Sequence, residues 1–207
     1  LRNILAHTQG KCLIFTEFRE TQDRLARELA ANGETVEVFH GGLTPAQKAD
    51  ALARFAGPSR LLLSSPAGGE GVNLQFCRVL VNYDLPWNPM RIEQRIGRLH
   101  RLGQTGEVSI YNLAAQDTVE HHLLRILSEK LNLFELVVGE AETILGELTQ
   151  DKEFEQILME TWLEAADNRE AAGHMERLGE LIVREKESYL EVKKLDETIF
   201  GADYEAA

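Results

Sequence analysis

Residues 94–104 read QRIGRLHRLGQ. An α-helix advances about 100° per residue, so Arg98 lies roughly 40° and Arg101 roughly 20° from Gln94 around such a helix, while Ile92, Ile96 and Leu99 point roughly 140° to 160° away. The two guanidinium groups therefore face something other than the domain's own interior; the bland alternative is a solvated helix face whose ion pairs each contribute little. Three loops carry further chemistry. In SSPAGGEGVNL (64–74) three glycines in four positions let the main chain approach a ligand closely, and its amides can hold a sugar or a phosphate. HGGLT (40–44) leads into a helix N-terminus, whose free amides and dipole favour an anion. YDLPWNP (83–89) holds Trp87 between two prolines, where its ring can stack on a base. Each loop also reads as a plain connection or as packing, and taken singly none decides a function.

These residues need a scaffold, and the first half of the chain alternates short apolar runs with helical patterns. CLIF (12–15), VEVF (36–39), LLL (61–63), VLV (79–81) and VSIYNL (108–113) read as strands, several continuous in the manner of strands covered on both faces. A helix is expected from Glu20 to Asn32, with Leu25 and Leu29 on one face and Gly33 at its stop. Another opens at Thr44-Pro45-Ala46-Gln47 with a cap, a proline at the first helical position and a capping-box glutamine. A third opens at Asn88-Pro89 and carries the arginine stripe. Such alternation predicts an open parallel sheet with helices on both faces and ligands at the carboxyl ends of the strands. From Asp117 onward the strand signal stops. Residues 119–137 predict one amphipathic helix, and 151–200 are Glu-rich with apolar residues at helical intervals such as Leu178, Leu181 and Ile182. We expect two domains, 1–116 and an acidic helical extension over 117–207.

Charge follows the same division. The 207 residues carry a formal −12, but residues 1–116 hold 13 Lys and Arg against 11 Asp and Glu, a net +2, and residues 117–207 hold 9 against 23, a net −14. The overall acidity thus leaves open a polyanion partner for the first part. Cys12 and Cys77 sit in apolar runs without metal or redox spacing and read as buried thiols of a reducing compartment. No apolar run approaches the ~20 residues of a membrane span, and no signal-peptide pattern opens the chain. No metal site and no membrane partner are expected. A chain opening on Leu1 leads us to expect a segment of a longer polypeptide.

The order KCLIFTEF, HGGLTPAQ, SSPAGGEGVNL, NYDLPWNPMRIEQRIGRLHRLGQ closely resembles the second RecA-like lobe of superfamily-two helicase-like ATPases, and among them the Swi/Snf-type DNA translocases. The resemblance covers residues 11–116 well, 117–139 loosely and 140–207 not at all. It implies an ATP hydrolase whose first RecA-like lobe, elsewhere in the same polypeptide, holds most of the ATP and Mg²⁺. Gln94, Gly97, Arg98 and Arg101 would face that lobe, the two arginines acting as fingers on the γ-phosphoryl group. Gly71 and Asn73 would face the nucleotide. Ser65, Thr16, His40 and Gly41 would contact DNA backbone, and Trp87 would lie near the groove. Backbone contacts through amides and hydroxyls would let a lobe of charge +2 hold double-stranded DNA with little sequence preference. The chain has no G-x-x-x-x-G-K-[ST] loop and no Asp-Glu pair after an apolar strand, so alone it is expected to be inactive.

The expectation is the C-terminal motor lobe of an ATP-dependent duplex-DNA translocase or nucleoprotein remodeller, in the nucleoid of a prokaryotic cytoplasm or in a eukaryotic nucleus. Its rivals are an RNA-directed or RNA-polymerase-recycling ATPase of the same superfamily, and a non-catalytic module whose acidic helices bind a protein partner.

Overall fold

A computed structural model describes residues 1–66, 72–99, 107–132, 140–149 and 153–200. Strands β1 (Cys12–Phe15), β2 (Val36–Phe39), β3 (Leu61–Ser64), β4 (Val79–Asn82) and β5 (Ser109–Asn112) form one parallel sheet in the order β2-β3-β1-β4-β5. Each lies within or one residue beyond the apolar run expected to form it. The register is level. Phe15 pairs with Ser64 and Asn82, Ser64 with Phe39, and Asn82 with Asn112, so the five carboxyl ends form a single row.

Side chains alternate between the two faces of a strand, which explains why continuous apolar runs fit here. Leu13, Phe15, Leu62 and Leu80 join one core with Phe39, Ala51, Phe55 and Leu99. Cys12, Ile14, Leu61, Leu63, Val79 and Val81 join the other with Leu5, Leu25 and Leu29. Helices α1 (Arg2–His7) and α2 (Arg19–Ala31) supply Leu5, Leu25 and Leu29 to the second core, while α3 (Pro45–Ala56) supplies Ala51 and Phe55 to the first. The sequence reading missed α1, because six residues are too few to show a helical period.

Local chemistry sets the helix ends. Gly33, at φ +85°, closes α2 in the left-handed conformation that costs other residues energy. At α3 the Thr44 side chain accepts from the Gln47 amide and the Gln47 side chain accepts from that of Thr44, the reciprocal box expected from the sequence. Helix α4 (Pro89–Ile96) starts where Asn88 Oδ1 accepts from the Met90 amide at 2.9 Å. It stops earlier than the stripe arithmetic assumes. Arg98 N donates to Arg95 O at 3.2 Å and Leu99 N to Ile96 O at 2.9 Å, a tightened three-residue turn. Ile92 and Leu99 are fully buried as expected, whereas Ile96 is only partly covered.

The chain divides into two compact units: Leu1–Pro86 with Ile92–Ala114, and Trp87–Arg91 with the described residues from Ala115 onward. The expected break near residue 117 did not foresee that Trp87–Arg91 would group with the second unit. The regular elements of that unit's described part are all helical. Helix α5 (Val119–Arg125), capped by Thr118, runs into a π-helical stretch Ile126–Lys130, and Asn132 follows with φ +53°. The single helix expected over 119–137 is therefore interrupted, and residues 133–139 lie outside the described ones. Helices α6 (Glu140–Thr149), α7 (Phe154–Leu163) and the long α8 (Asn168–Phe200) complete the unit. Leu178 and Ile182 of α8 are buried, but Leu181 is exposed. Gly179 is the position at which α8 meets the π-helical stretch; a Cβ there would stand 3.4 Å from Ile126 Cγ1 and 3.5 Å from Lys130 Cγ. Glu176 takes ion pairs from Arg125 and Lys130, and Glu140 takes one from Lys193. Among the described residues no helix is long and apolar enough to cross a membrane.

Candidate functional site

The row of carboxyl ends is tied together by a residue that the sequence reading passed over. Arg95, 4% exposed, donates to Asn82 Oδ1 at 2.8 Å, to the Asp84 carbonyl at 3.0 Å and to Glu17 Oε1 at 2.5 Å, with its guanidinium 4.8 Å from the centre of the Phe15 ring. Asn82 in turn donates to Asn112 Oδ1 at 2.7 Å. Asp84 Oδ2 accepts from the Thr16 hydroxyl and from the Glu17 amide. One guanidinium thus fixes the loops after β1 and β4 to α4. Buried charge needs this many partners, because removing it from water otherwise costs several kcal/mol. The signal available in the sequence was the phase of Arg95: one residue after Gln94, it falls off the polar stripe and toward the sheet.

At the other side of the row, the buried Gln22 of α2 donates from Nε2 to Phe39 O at 3.1 Å and to Leu63 O at 2.8 Å, which seats the start of α2 on the ends of β2 and β3. His40 follows β2 directly and is half-buried. Its Nδ1 accepts from the Gly42 amide at 3.1 Å, so the neutral ring carries its hydrogen on Nε2. Burial first, and the nearby Arg19 charge second, hold its pKa below the ordinary histidine value. A Cβ at Gly42 would lie 3.2 Å from His40 Nδ1 and 3.3 Å from Cε1, close enough that the ring would have to give by a few tenths of an ångström. Gly41 is exposed in the same turn.

Two of the expected backbone contacts stand differently from expectation. Thr16 is fully buried and its hydroxyl is committed to Asp84; Ser65 is also buried, and its amide donates to Phe39 O at 3.0 Å. The physical reason is the same for both: each continues its strand by one residue, the Thr16 amide donating to Ser64 O at 3.1 Å as the Ser65 amide donates to Phe39 O. Trp87 is half-buried within the second unit, where its indole N–H donates to Glu120 Oε1 at 3.2 Å.

The amide of Leu74 donates to Arg98 O at 3.0 Å, which joins the tail of the glycine-rich loop to the turn after α4. Asn73, beside Leu74, is exposed, with Oδ1 accepting from the Gln75 amide at 3.2 Å. Gln94 is exposed and Arg98 half-exposed, and the Arg98 side chain makes no hydrogen bond or ion pair among the described residues. The Gly97 amide donates to Glu93 O at 2.8 Å. Gly71 and Arg101 lie outside the described residues. Cys12 and Cys77 are buried, which pushes their thiols up to about 12 and about 11 and leaves them protonated and unreactive at neutral pH. Among the described residues no three His, Cys, Asp or Glu side chains converge to hold a metal ion.

Residues 1–103 match the helicase conserved C-terminal domain. The uncharacterized ATP-dependent helicase YqhH of Bacillus subtilis strain 168 is 44% identical over 185 residues, which are 89% of this chain and 33% of that protein. The RNA polymerase-associated protein RapA of Vibrio vulnificus strain YJ016 is 34% identical over 153 residues, 72% of this chain and 16% of that one. The chain spans a third or less of the length of these curated relatives. Among solved structures, the C-terminal part of the Fun30 ATPase domain superposes with a TM-score of 0.54 at 25% identity, over 70% of this chain and 48% of the other. The C-terminal domain of the DEAD-box protein Dbp5 shares the fold, with a TM-score of 0.54 at 24% identity over 63% of this chain and 74% of its own.

Proposed function

This chain belongs to the superfamily-two helicases, whose conserved C-terminal RecA-like lobe it carries, and from that premise we propose that it is the second motor lobe of an ATP-driven, Swi/Snf-type translocase on double-stranded DNA. One observation carries the reading. Arg98 stands at the lobe's surface with no internal partner among the described residues, three positions from Arg95, which is buried and held by three acceptors. An arginine left unpaired beside one so fully used is available to an external anion.

The residues present fit a share of an ATP site. Gln94 and Asn73 offer exposed amides and Arg98 a guanidinium without a partner among the described residues, and the Leu74–Arg98 hydrogen bond joins the two segments. Mg²⁺ and most of the nucleotide fall to a first lobe bearing a phosphate-binding loop and an acidic pair. Arg98 and Arg101 stabilise charge on the transferring phosphoryl group, and Gln94 and Gly97 shape their approach. In the polypeptide that carries both lobes, Arg98→Ala or Arg101→Ala lowers DNA-stimulated ATP turnover by about 10³ to 10⁵ while DNA binding persists. The isolated chain turns over no ATP. Turnover by the isolated chain, or equal loss of both activities in a folded Arg98→Ala variant, refutes the proposal.

A second reading is favoured by the similarity to RapA, whose name associates it with RNA polymerase. In it the same lobe drives a motor at a transcribing polymerase, and the acidic helices engage a protein. Duplex DNA, single strands, RNA and polymerase as stimulators of turnover separate the two.

A further inference from the structure

Helix α4, which leads into the arginine turn, is shared between the two compact units: residues 89–91 group with the second and residues 92–96 with the first. One side-chain hydrogen bond ties the entry of α4 to the first helix of the second unit. The indole N–H of Trp87 donates to Glu120 Oε1 at 3.2 Å. Both partners stand on fixed backbone. Pro86 and Pro89 are buried on either side of Trp87, and the Asn88 carbonyl accepts from the Arg91 amide at 3.1 Å while its side chain accepts from that of Met90. Glu120 follows the buried Val119 in the first turn of α5, where the Thr118 hydroxyl accepts from the His121 amide and the Asp117 amide donates to His121 Nδ1 at 3.2 Å. At the far end of α5, Arg125 pairs with Glu176 of α8. An indole has one N–H and no acceptor, so Trp87 bound to Glu120 has no donor left for a nucleic acid.

We propose that Glu120 is a positioning residue for ATP turnover: it holds Trp87, Trp87 sets where α4 begins, and α4 leads into the turn that bears Arg98. This rests on the reading of Arg98 as a finger on the γ-phosphoryl group, and it names the residue through which the acidic helical unit acts on that finger. Arg95 anchors the last turn of α4 on the strand ends. Glu120, through Trp87, anchors its entry. Two anchors fix the axis of an eight-residue helix, where one leaves it able to tilt. A guanidinium displaced by about 1 Å from a reacting group forfeits up to about 100-fold in rate, so a bond far from the phosphate can govern turnover.

The test uses the polypeptide that carries both lobes, with ATP turnover measured at saturating duplex DNA and affinity for a labelled duplex read by fluorescence anisotropy. Glu120→Ala lowers kcat about 10- to 100-fold and leaves duplex affinity unchanged. Glu120→Gln, whose Oε1 still accepts from the indole, restores most of the rate. Trp87→Phe keeps a ring and removes the donor; it lowers kcat as Glu120→Ala does, and the double variant falls no further. Should Glu120→Ala fail to fold by circular dichroism, Trp87→Phe reads the same bond. Glu129→Ala, at an exposed carboxylate of the π-helical stretch after α5, is the control for lost charge and turns over as the wild type does. Wild-type kcat in folded Glu120→Ala, additive losses in the double variant, or an equal loss in Glu129→Ala overturns the inference. So does a Trp87→Phe defect confined to duplex affinity, which returns Trp87 to the DNA groove. Arg98→Ala separates the two levels. If that variant keeps full turnover, the motor reading fails; if it loses turnover while Glu120→Ala and Trp87→Phe keep theirs, only this inference fails.

Discussion

Arg95→Met tests the frame on which the arginine turn stands. Methionine keeps the aliphatic stem and much of the volume but removes every donor. Asn82 Oδ1, in a fully buried side chain, and the Asp84 carbonyl each lose a partner, at about 1 kcal/mol apiece. The contact over the Phe15 ring, 4.8 Å away and shielded from water, adds about 1 kcal/mol. The Glu17 side chain keeps 28% of its surface and can rehydrate, so its ion pair counts for less than 1 kcal/mol. The total is about 3 kcal/mol, at the low end for breaking a buried charged pair. With a urea dependence of about 2 kcal/mol per molar, the unfolding midpoint falls by about 1.5 M. Urea titration followed by circular dichroism reads this directly, and Glu17→Gln in the Arg95→Met background then adds little, because the pair is already broken. A loss below about 1 kcal/mol at unchanged slope refutes the account of Arg95 as the clasp of the sheet's carboxyl edge.

Thr16→Val keeps shape and burial and removes one hydrogen bond to Asp84, whose Oδ2 still accepts from the Glu17 amide at 2.7 Å; stability falls by about 1 kcal/mol and nucleic-acid affinity stays at the wild-type value in the anisotropy assay. His122 packs against Trp162 with ring centres 5.7 Å apart and planes tilted by 45°, and burial, then the charges of Arg125 and His121, hold its pKa below the ordinary 6.5, while Asp117 and Glu176 oppose the shift. The unfolded chain therefore takes up the proton first, so stability falls as pH drops from 6.5 through the lower folded-state value; urea midpoints at pH 7.5 and 5.5 differ less in His122→Phe than in the wild type.

Most of the sheet was legible because burial on both faces writes itself as unbroken apolar runs, and capping residues write helix starts. CLIF and VEVF are strands over their whole length, and Thr44-x-x-Gln47 forms its reciprocal box. The less legible features arise where tertiary contacts override a local period. The sequence over 119–137 carries an apolar stripe, yet among the described residues a π-helical stretch widens the turn from Ile126, where Gly179 of α8 approaches. Thr16 reads in sequence as a loop hydroxyl and is in fact an internal donor, since nothing local to it announces that Asp84, 68 residues away, will be its acceptor.

The arginine stripe shows the limit most sharply. A helical wheel extended through residues 94–101 sorts Arg95 and Arg98 by angle alone, but α4 ends at Ile96, and the turn that follows is tightened by bonds to Arg95 O and Ile96 O. What separates the two guanidinium groups is the supply of acceptors. Arg95 reaches Asn82, Asp84 and Glu17 at the strand ends, whereas the main chain at Arg98 is taken by Leu74 and its side chain finds no acceptor among the described residues. An isolated guanidinium is expensive to bury, so the one with internal acceptors goes under the loops and the one without them stays at the surface. On the proposed function, the arginine left available to an outside phosphate is thus selected by the partners its neighbour has already claimed; a variant that frees those acceptors, Arg95→Met, draws Arg98 inward and, in the polypeptide that carries both lobes, lowers ATP turnover beyond what lost stability explains.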